Sequence, residues 1–229
     1  MKEYPMTIDN DWDTLYRDFP EIYDAFTSFR YRPGVLEALR ERFDLAGKTI
    51  LDVGAGGGQS ALPLAEYAAQ VIGVEPEEAM RALGERLARE SGRRNVSFLA
   101  GSAGAIPLAG SSVDIVMAIT APLEVEEALR VVRRPGLLLQ VDVAPGHYGG
   151  ELAPIIGHPT PELEVASRHL TEQCAFCALD FESVQDYGST ENILRTYGFI
   201  FGPQAIAHLR ETGQTTIRWT FRIHYRRAE

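Results

Sequence analysis

Cysteine is scarce in this chain of 229 residues, with Cys174 and Cys177 standing alone inside one Cys-Ala-Phe-Cys stretch. That excludes a disulfide framework and fits a reducing cytoplasm. The same stretch makes at best half a zinc site: His158 and His169 lie nearby, but a closed site takes four ligands and there is no second CxxC, so no metal is expected. Two small apolar side chains one helical turn apart account for the pair. Uninterrupted apolar runs of the roughly 20 residues a membrane span needs are also missing. Met1-Lys2-Glu3-Tyr4-Pro5 does not begin a secretory signal, so the expectation is a soluble, cytoplasmic protein with no membrane partner. Positive charge is in deficit: 22 basic against 32 acidic side chains give a net charge of −10. The average surface field therefore repels phosphate backbones and anionic membrane faces. Internal repeats and low-complexity tracts are absent as well.

Apolar residues are not lacking. They make up 45% of the chain, enough for one substantial core, and a single domain over 1–229 is expected. From Lys48 onward, short β-branched runs alternate with longer helical patterns, which predicts βαβ units and a doubly wound, parallel α/β sheet. The predicted strands are Thr49–Val53, Val71–Val74, Val96–Ala100, Val113–Ile119 and Leu137–Val143, apolar nearly throughout as strands covered on both faces should be. Ala61–Ala69, Glu77–Glu90 and Val125–Val132 carry apolar positions at helical spacing. Before them, residues 1–45 hold no clear strand. Trp12, Tyr16, Phe19 and Tyr23 follow a helical stripe there, which fits either packing onto the domain or a lid over a site. After Gly146, helices are predicted over Glu162–Phe176 and, with an interruption around Gly198–Pro203, over Glu191–Glu211. Phe181–Tyr187 reads as a strand, and Thr215–Arg226 alternates strongly: Ile217, Trp219, Phe221, Ile223 and Tyr225 share one face, and Arg218, Arg222 and His224 the other.

The segment Ile50-Leu51-Asp52-Val53-Gly54-Ala55-Gly56-Gly57-Gly58-Gln59-Ser60 carries the most information. A strand ends in a glycine cluster and a helix follows, so the backbone can turn tightly and let a ligand approach at the carboxyl edge of the sheet. A dinucleotide loop would close with a third glycine or an alanine, and Gln59 stands at that position. About 20 residues on, Val71-Ile72-Gly73-Val74-Glu75 puts a carboxylate at the end of the second strand, where two acceptor oxygens can engage the two hydroxyls of a ribose. Glu75 or Glu77 could instead simply cap the next helix.

With Asp52, Gly54, Gly56 and Gly58 in the order D-x-G-x-G-x-G, this segment resembles the first motif of the class I S-adenosylmethionine-dependent methyltransferases, of the methyltransferase type 11-like kind. Gly101-Ser102-Ala103-Gly104-Ala105-Ile106-Pro107-Leu108 and Ser111-Ser112-Val113-Asp114-Ile115-Val116 resemble the family's next two motifs, and together these cover about Lys48 to Gly146. The resemblance implies a Rossmann-like sheet of seven mostly parallel strands with an antiparallel C-terminal strand. It implies a helical cap over 1–45, a cofactor-binding core over 46–146 and substrate-side elements over 147–229. It further implies that S-adenosylmethionine binds at Asp52, Gly54, Ala55, Gly56, Gly58, Glu75, Pro76, Ser102, Ala103 and Thr120, leaving as S-adenosylhomocysteine. Ser102 departs from the acidic residue the family often has there, which puts a carboxylate contact to the adenine amino group in doubt.

Such a reaction moves a methyl group from a sulfonium to a nucleophile, and the enzyme contributes mainly alignment and exclusion of water. Ile119-Thr120-Ala121-Pro122-Leu123 is not the Asn/Asp-Pro-Pro-aromatic sequence of exocyclic base-amine methylation. His147, in Ala144-Pro145-Gly146-His147-Tyr148 after the fifth strand, is the candidate catalytic base or substrate-facing group, and a surface histidine is the alternative. Tyr148 beside it and Tyr16, Tyr23 and Tyr31 are candidate substrate or lid residues. A narrower likeness connects Glu126-Glu127-Ala128-Leu129-Arg130-Val131-Val132, Ala144-Pro145-Gly146-His147 and Tyr197-Gly198-Phe199 to ribosomal RNA guanine-N1 methyltransferases. That family begins with a cysteine-rich zinc module, and no cysteine precedes Cys174 here. The first expectation is therefore a methyltransferase for a small-molecule acceptor, acting as a monomer or homodimer, with an RNA base as second. A nicotinamide oxidoreductase is disfavoured by Gln59 and by the lack of a second substrate domain, and a catalytically silent cofactor-binding module stays open.

Overall fold

The alternating pattern from Thr49 onward folds into parallel strands joined by helices. The structure, a computed structural model, describes residues 7–8, 10–28 and 31–229, without the side chains of residues 31 and 32. Strands β1 (Thr49–Val53), β2 (Gln70–Glu75), β3 (Val96–Ala100), β4 (Val113–Ile119) and β5 (Val132–Val143) are parallel. Strand β6 (Cys177–Asp186) lies at one edge, and β7 (Thr216–Ala228) inserts between β5 and β6, antiparallel to both. The order across the seven-stranded sheet is β3-β2-β1-β4-β5-β7-β6. It reverses between β1 and β4, and in an open α/β sheet a ligand crevice forms at that switch point, outside the carboxyl ends of the strands.

Helices α1 (Trp12–Asp18), α2 (Pro20–Ser28) and α3 (Tyr31–Arg42) precede the sheet. Helices α4 (Ala61–Leu64), α5 (Glu78–Glu90) and α6 (Val125–Val131) connect the parallel strands. After β5 come α7 (Ala153–Ile156) and α8 (Pro161–Arg168), and between β6 and β7 come α9 (Thr190–Ile193), α10 (Phe199–Phe201) and α11 (Pro203–Thr212). Neighbouring strand residues fall into different cores, as a period of two requires. Ile50, Val71, Ile115 and Met117 pack with Leu15, Phe26, Leu36 and Leu39 of the first three helices. Leu51, Ile72, Val116 and Ala118 pack on the opposite face with Ala128 and Val131 of α6. Burial on both faces is why these strands read as continuous apolar runs.

The structure departs from the sequence pattern where local chemistry interrupts it. The aromatic stripe is two helices, not one, because Pro20 starts a new helix after Phe19 caps the first. Helix α4 stops at Leu64, and the amides of Glu66 and Tyr67 turn back to Pro63 and Leu64 in tighter i→i+3 bonds. Strand β5 starts at Val132, five positions before the apolar run, because Val132 pairs with Val113 across an irregularity in register. Helix α8 ends at Arg168 and continues as a π-helical turn over His169–Gln173. The stretch between β6 and β7 breaks at Gly202, whose φ of 92° only glycine adopts readily, and Pro203 opens α11. On β7, Ile217, Trp219, Phe221 and Ile223 are buried as expected, but so is His224 from the opposite face, where Ser167 of α8 covers it.

Candidate active site

The glycine cluster leaves β1 and is tied down by main-chain and carboxylate contacts before any ligand is considered. The amides of Gly54 and Ala55 donate to the Val74 carbonyl at 2.8 and 3.2 Å, fixing the loop to the end of β2. The Glu75 carboxylate then accepts from Gly56 N at 2.9 Å through Oε2 and from Glu77 N at 3.0 Å through Oε1. Glu75 is buried, and burial is the main reason its carboxyl titrates above the ordinary glutamate value, against the lowering effect of those two amides. Gly54 has a φ of 70°, and a Cβ there would sit 2.4 Å from Ala121 Cβ, so only bare backbone fits between β1 and the end of β4. Gly58 answers a different demand: its missing Cβ makes room for Phe98, which would lie 2.9 Å away.

A cavity of ≈ 270 Å³ opens over this loop. Gly54, Gly56, Glu75, Pro76, Ser102, Ala103 and Thr120 line it, with Met80 of α5 and with Asp13, Tyr16 and Tyr23 from the first two helices. Gln59 Nε2 donates to Asp24 Oδ1 at 3.2 Å, so α2 is fastened to the loop it covers. Thr120 follows β4 with a φ of 52°, an uncommon backbone state for a β-branched residue. Tyr16, Tyr23 and Thr120 also line a second cavity of ≈ 180 Å³, completed by Trp12, Phe26, Asp142, Val143, Tyr148, Thr160, Glu162 and Leu163. The two chambers thus share Tyr16 of α1, Tyr23 of α2 and Thr120 at the carboxyl end of β4. Trp12 Nε1 donates to Tyr148 Oη at 2.6 Å, closing the second chamber between α1 and the loop after β5. Burial, with added repulsion from Glu162 and Asp142, pushes the Tyr148 hydroxyl up to about 12.

Of the residues singled out in the sequence, Gly54, Gly56, Glu75, Pro76, Ser102, Ala103 and Thr120 meet at one cavity, and Tyr16, Tyr23 and Tyr148 meet at the other. Asp52, Ala55 and Gly58 line neither: Asp52 is buried within β1, and Ala55 and Gly58 sit behind the loop surface. His147 is exposed and lines neither chamber; its charge is felt instead at Asp180 on β6. The Tyr31 side chain lies outside the described residues. Cys174 Sγ contacts His169 Nε2 at 3.3 Å and Cys177 is exposed, and among the described residues no cluster of three or more metal-ligating side chains converges. Sequence reasoning passed over Asp142 and Glu162. A lone carboxylate inside the apolar run Leu137–Val143 was the available signal for the first, whereas Glu162 reads as an ordinary first-turn acid of a helix.

The strand order with an antiparallel β7 inserted beside β5, and a glycine loop facing an acidic end of β2, define the Rossmann-like fold of class I methyltransferases. Residues 50–136 match a family model described as a methyltransferase domain. Over 109 residues it is 34% identical to the uncharacterized methyltransferase YcgJ of Bacillus subtilis (strain 168), a match covering 44% of this chain and 42% of that one. Over 92 residues it is 35% identical to a ubiquinone biosynthesis O-methyltransferase of Azorhizobium caulinodans, covering 40% and 36%. The chain thus spans less than half the length of either relative. The crystal structure of the Bacillus YcgJ protein superposes with a TM-score of 0.57 at 19% identity, over 86% of this chain and 96% of that one. The [4+2]-cyclase SpnF superposes with a TM-score of 0.56 at 22% identity, over 87% and 80%. The fold alone therefore does not fix the reaction. Among the described residues, no helix is long and apolar enough to cross a membrane.

Proposed function

We propose that the protein is an S-adenosylmethionine-dependent methyltransferase acting on a small-molecule acceptor. The observation that carries this reading is the pair of chambers sharing Tyr16, Tyr23 and Thr120, one floored by bare glycine backbone and Glu75, the other walled largely by aromatic rings. The first chamber fits an adenosyl group. Gly54 and Gly56 expose main chain where a Cβ would obstruct, Glu75 keeps acceptor capacity for ribose hydroxyls beyond its two amide bonds, and Pro76, Ser102 and Ala103 would flank the base. Asp52, Ala55 and Gly58 would act from behind, holding the loop in shape. When bound, the cofactor supplies an activated methyl group and a good leaving thioether. The chain's own part is to align the acceptor with that methyl across the shared wall and to keep water out. No catalytic role is assigned to His147.

The acceptor chamber is about six water molecules' worth of liquid volume, and the net charge of −10 repels a phosphate backbone. Both features favour a small molecule over RNA. Calorimetry of the folded protein tests the cofactor: S-adenosylmethionine and S-adenosylhomocysteine are expected to bind and a reduced nicotinamide dinucleotide is not. The reverse outcome would overturn the proposal. Incubation with methyl-labelled cofactor and fractionated cell extract tests the acceptor, and label confined to RNA would replace the small molecule with an RNA base.

A further inference from the structure

The two cysteines are not buried as a small apolar pair. Cys177 opens β6 and is exposed, whereas Cys174 is half-buried at the end of the π-helical turn His169–Gln173. That turn is wound wider than an α-helix: Cys174 N donates to the His169 carbonyl five residues back at 3.2 Å. The winding brings the fourth and fifth residues after His169 to one imidazole. His169 Nδ1 lies 2.9 Å from Gln173 Oε1, and Nε2 lies 3.3 Å from Cys174 Sγ. Because an amide oxygen only accepts, Nδ1 carries the ring proton and Nε2 keeps its lone pair for the thiol. The turn is fixed from behind as well, since Arg226 Nη1 on β7 donates to the Cys174 carbonyl at 2.9 Å and Phe176 N donates to the Leu170 carbonyl at 3.0 Å. His169 and Gln173 are exposed, so a reagent in solvent reaches the cluster. None of the three residues lines either chamber.

A sulfur nucleophile, a base on its proton and a third group that orients the base together make an activated thiol. We infer that Cys174 is a site of thiol–disulfide exchange with small disulfides, with Cys174 Sγ as nucleophile, His169 as the base and Gln173 as the positioning residue that holds the imidazole in the required tautomer. In the exchange, the thiol proton passes to His169 Nε2 as Cys174 Sγ attacks one sulfur of the disulfide. A new sulfur–sulfur bond forms, the old one breaks, and the departing sulfur keeps the bonding pair and takes the proton back from His169. The cysteine sulfur is oxidised and the departing half of the reagent is reduced to a thiol, so the step balances with no further oxidant. Cys177 supplies the contrast: it is the more exposed of the two, so exposure alone would make it the faster to react.

Because the chain holds only these two cysteines, single-cysteine variants report each thiol separately. The full chain carrying Cys177→Ser or Cys174→Ser is mixed with an excess of 2-hydroxyethyl disulfide at neutral pH, and formation of the mixed disulfide is followed by whole-protein mass spectrometry. Cys174 is expected to react about tenfold or more faster than Cys177. Adding His169→Ala is expected to remove that advantage and to leave the rate at Cys177 unchanged. Gln173→Leu should slow Cys174 several-fold, and Gln173→Glu, which retains an acceptor for Nδ1, should restore the rate, a rescue that loosened packing would not give. Equal rates at the two thiols, or a Cys174 rate indifferent to His169→Ala, would overturn the assignment. Should His169→Ala also alter Cys177, the Gln173 pair decides: equal rates for the leucine and glutamate variants overturn it. The methyl-transfer reading stands or falls separately from this result.

Discussion

His224 should make the protein's stability depend on pH in a way that one substitution removes. Its ring is buried on β7, with Nε2 2.9 Å from Ser167 Oγ, and Nδ1 has no partner among the described residues. Burial, and then the neighbouring Arg222 guanidinium, depress it to about 4 from the ordinary 6.5, with Asp180 opposing weakly. A protonated ring would add charge where neither water nor a second acceptor can solvate it. Between pH 6.5 and 4 the unfolded chain therefore binds more protons at this residue than the fold does. The contribution is fully present above 6.5 and is lost as the pH falls towards 4. The full difference is roughly 3 kcal/mol, of which about 2 kcal/mol has gone by pH 5. Acidic side chains titrate too, so the measurement is a difference. Urea unfolding of the wild type and of His224→Gln, which keeps a polar atom near Ser167 but cannot titrate, is compared at pH 7.5 and 5. The wild type should lose about 2 kcal/mol more than the variant over that interval. Parallel losses, or a His224 ring that titrates near its ordinary value by NMR, would refute the reasoning.

Two further outcomes follow from contacts at the site. Glu75→Ala should weaken S-adenosylhomocysteine binding by roughly 1.5–3 kcal/mol, the usual scale for hydrogen bonds to a charged group, and unchanged affinity in a folded variant would remove Glu75 from the site. Gln185→Leu should cost about 2 kcal/mol or more in urea unfolding, because the Gln185 amide donates to the Phe26 carbonyl and accepts from Trp219 Nε1 at 2.8 Å, and the substitution removes both of these buried hydrogen bonds; a loss below about 0.5 kcal/mol would contradict that accounting.

The glycine-loop chamber was legible because its requirements are local. Glycines that must leave space, and an acid at the end of the next strand, announce themselves by spacing, and strands β1, β3 and β4 were read with their observed limits. The second chamber was legible only in part. Tyr16, Tyr23 and Tyr148 were named, but Asp142 and Glu162 come together with Trp12 only through the packing of α1, β5 and α8, and nothing in the linear order brings them near one another. His147 illustrates the converse: its place after β5 was right for a substrate group, yet the turn that makes Tyr148 line the chamber leaves the preceding side chain exposed. His224 was read as sharing a polar face with Arg218, since alternation says which face a residue takes and not whether a later helix will cover it.

Because Tyr16, Tyr23 and Thr120 line both chambers, a ligand that shifts any of the three on one side alters the wall met on the other. Whatever factor S-adenosylhomocysteine contributes to the affinity for an acceptor, the acceptor must return to S-adenosylhomocysteine in equal measure, since linkage is reciprocal. Affinities for this protein therefore carry meaning only when the state of the neighbouring chamber is specified.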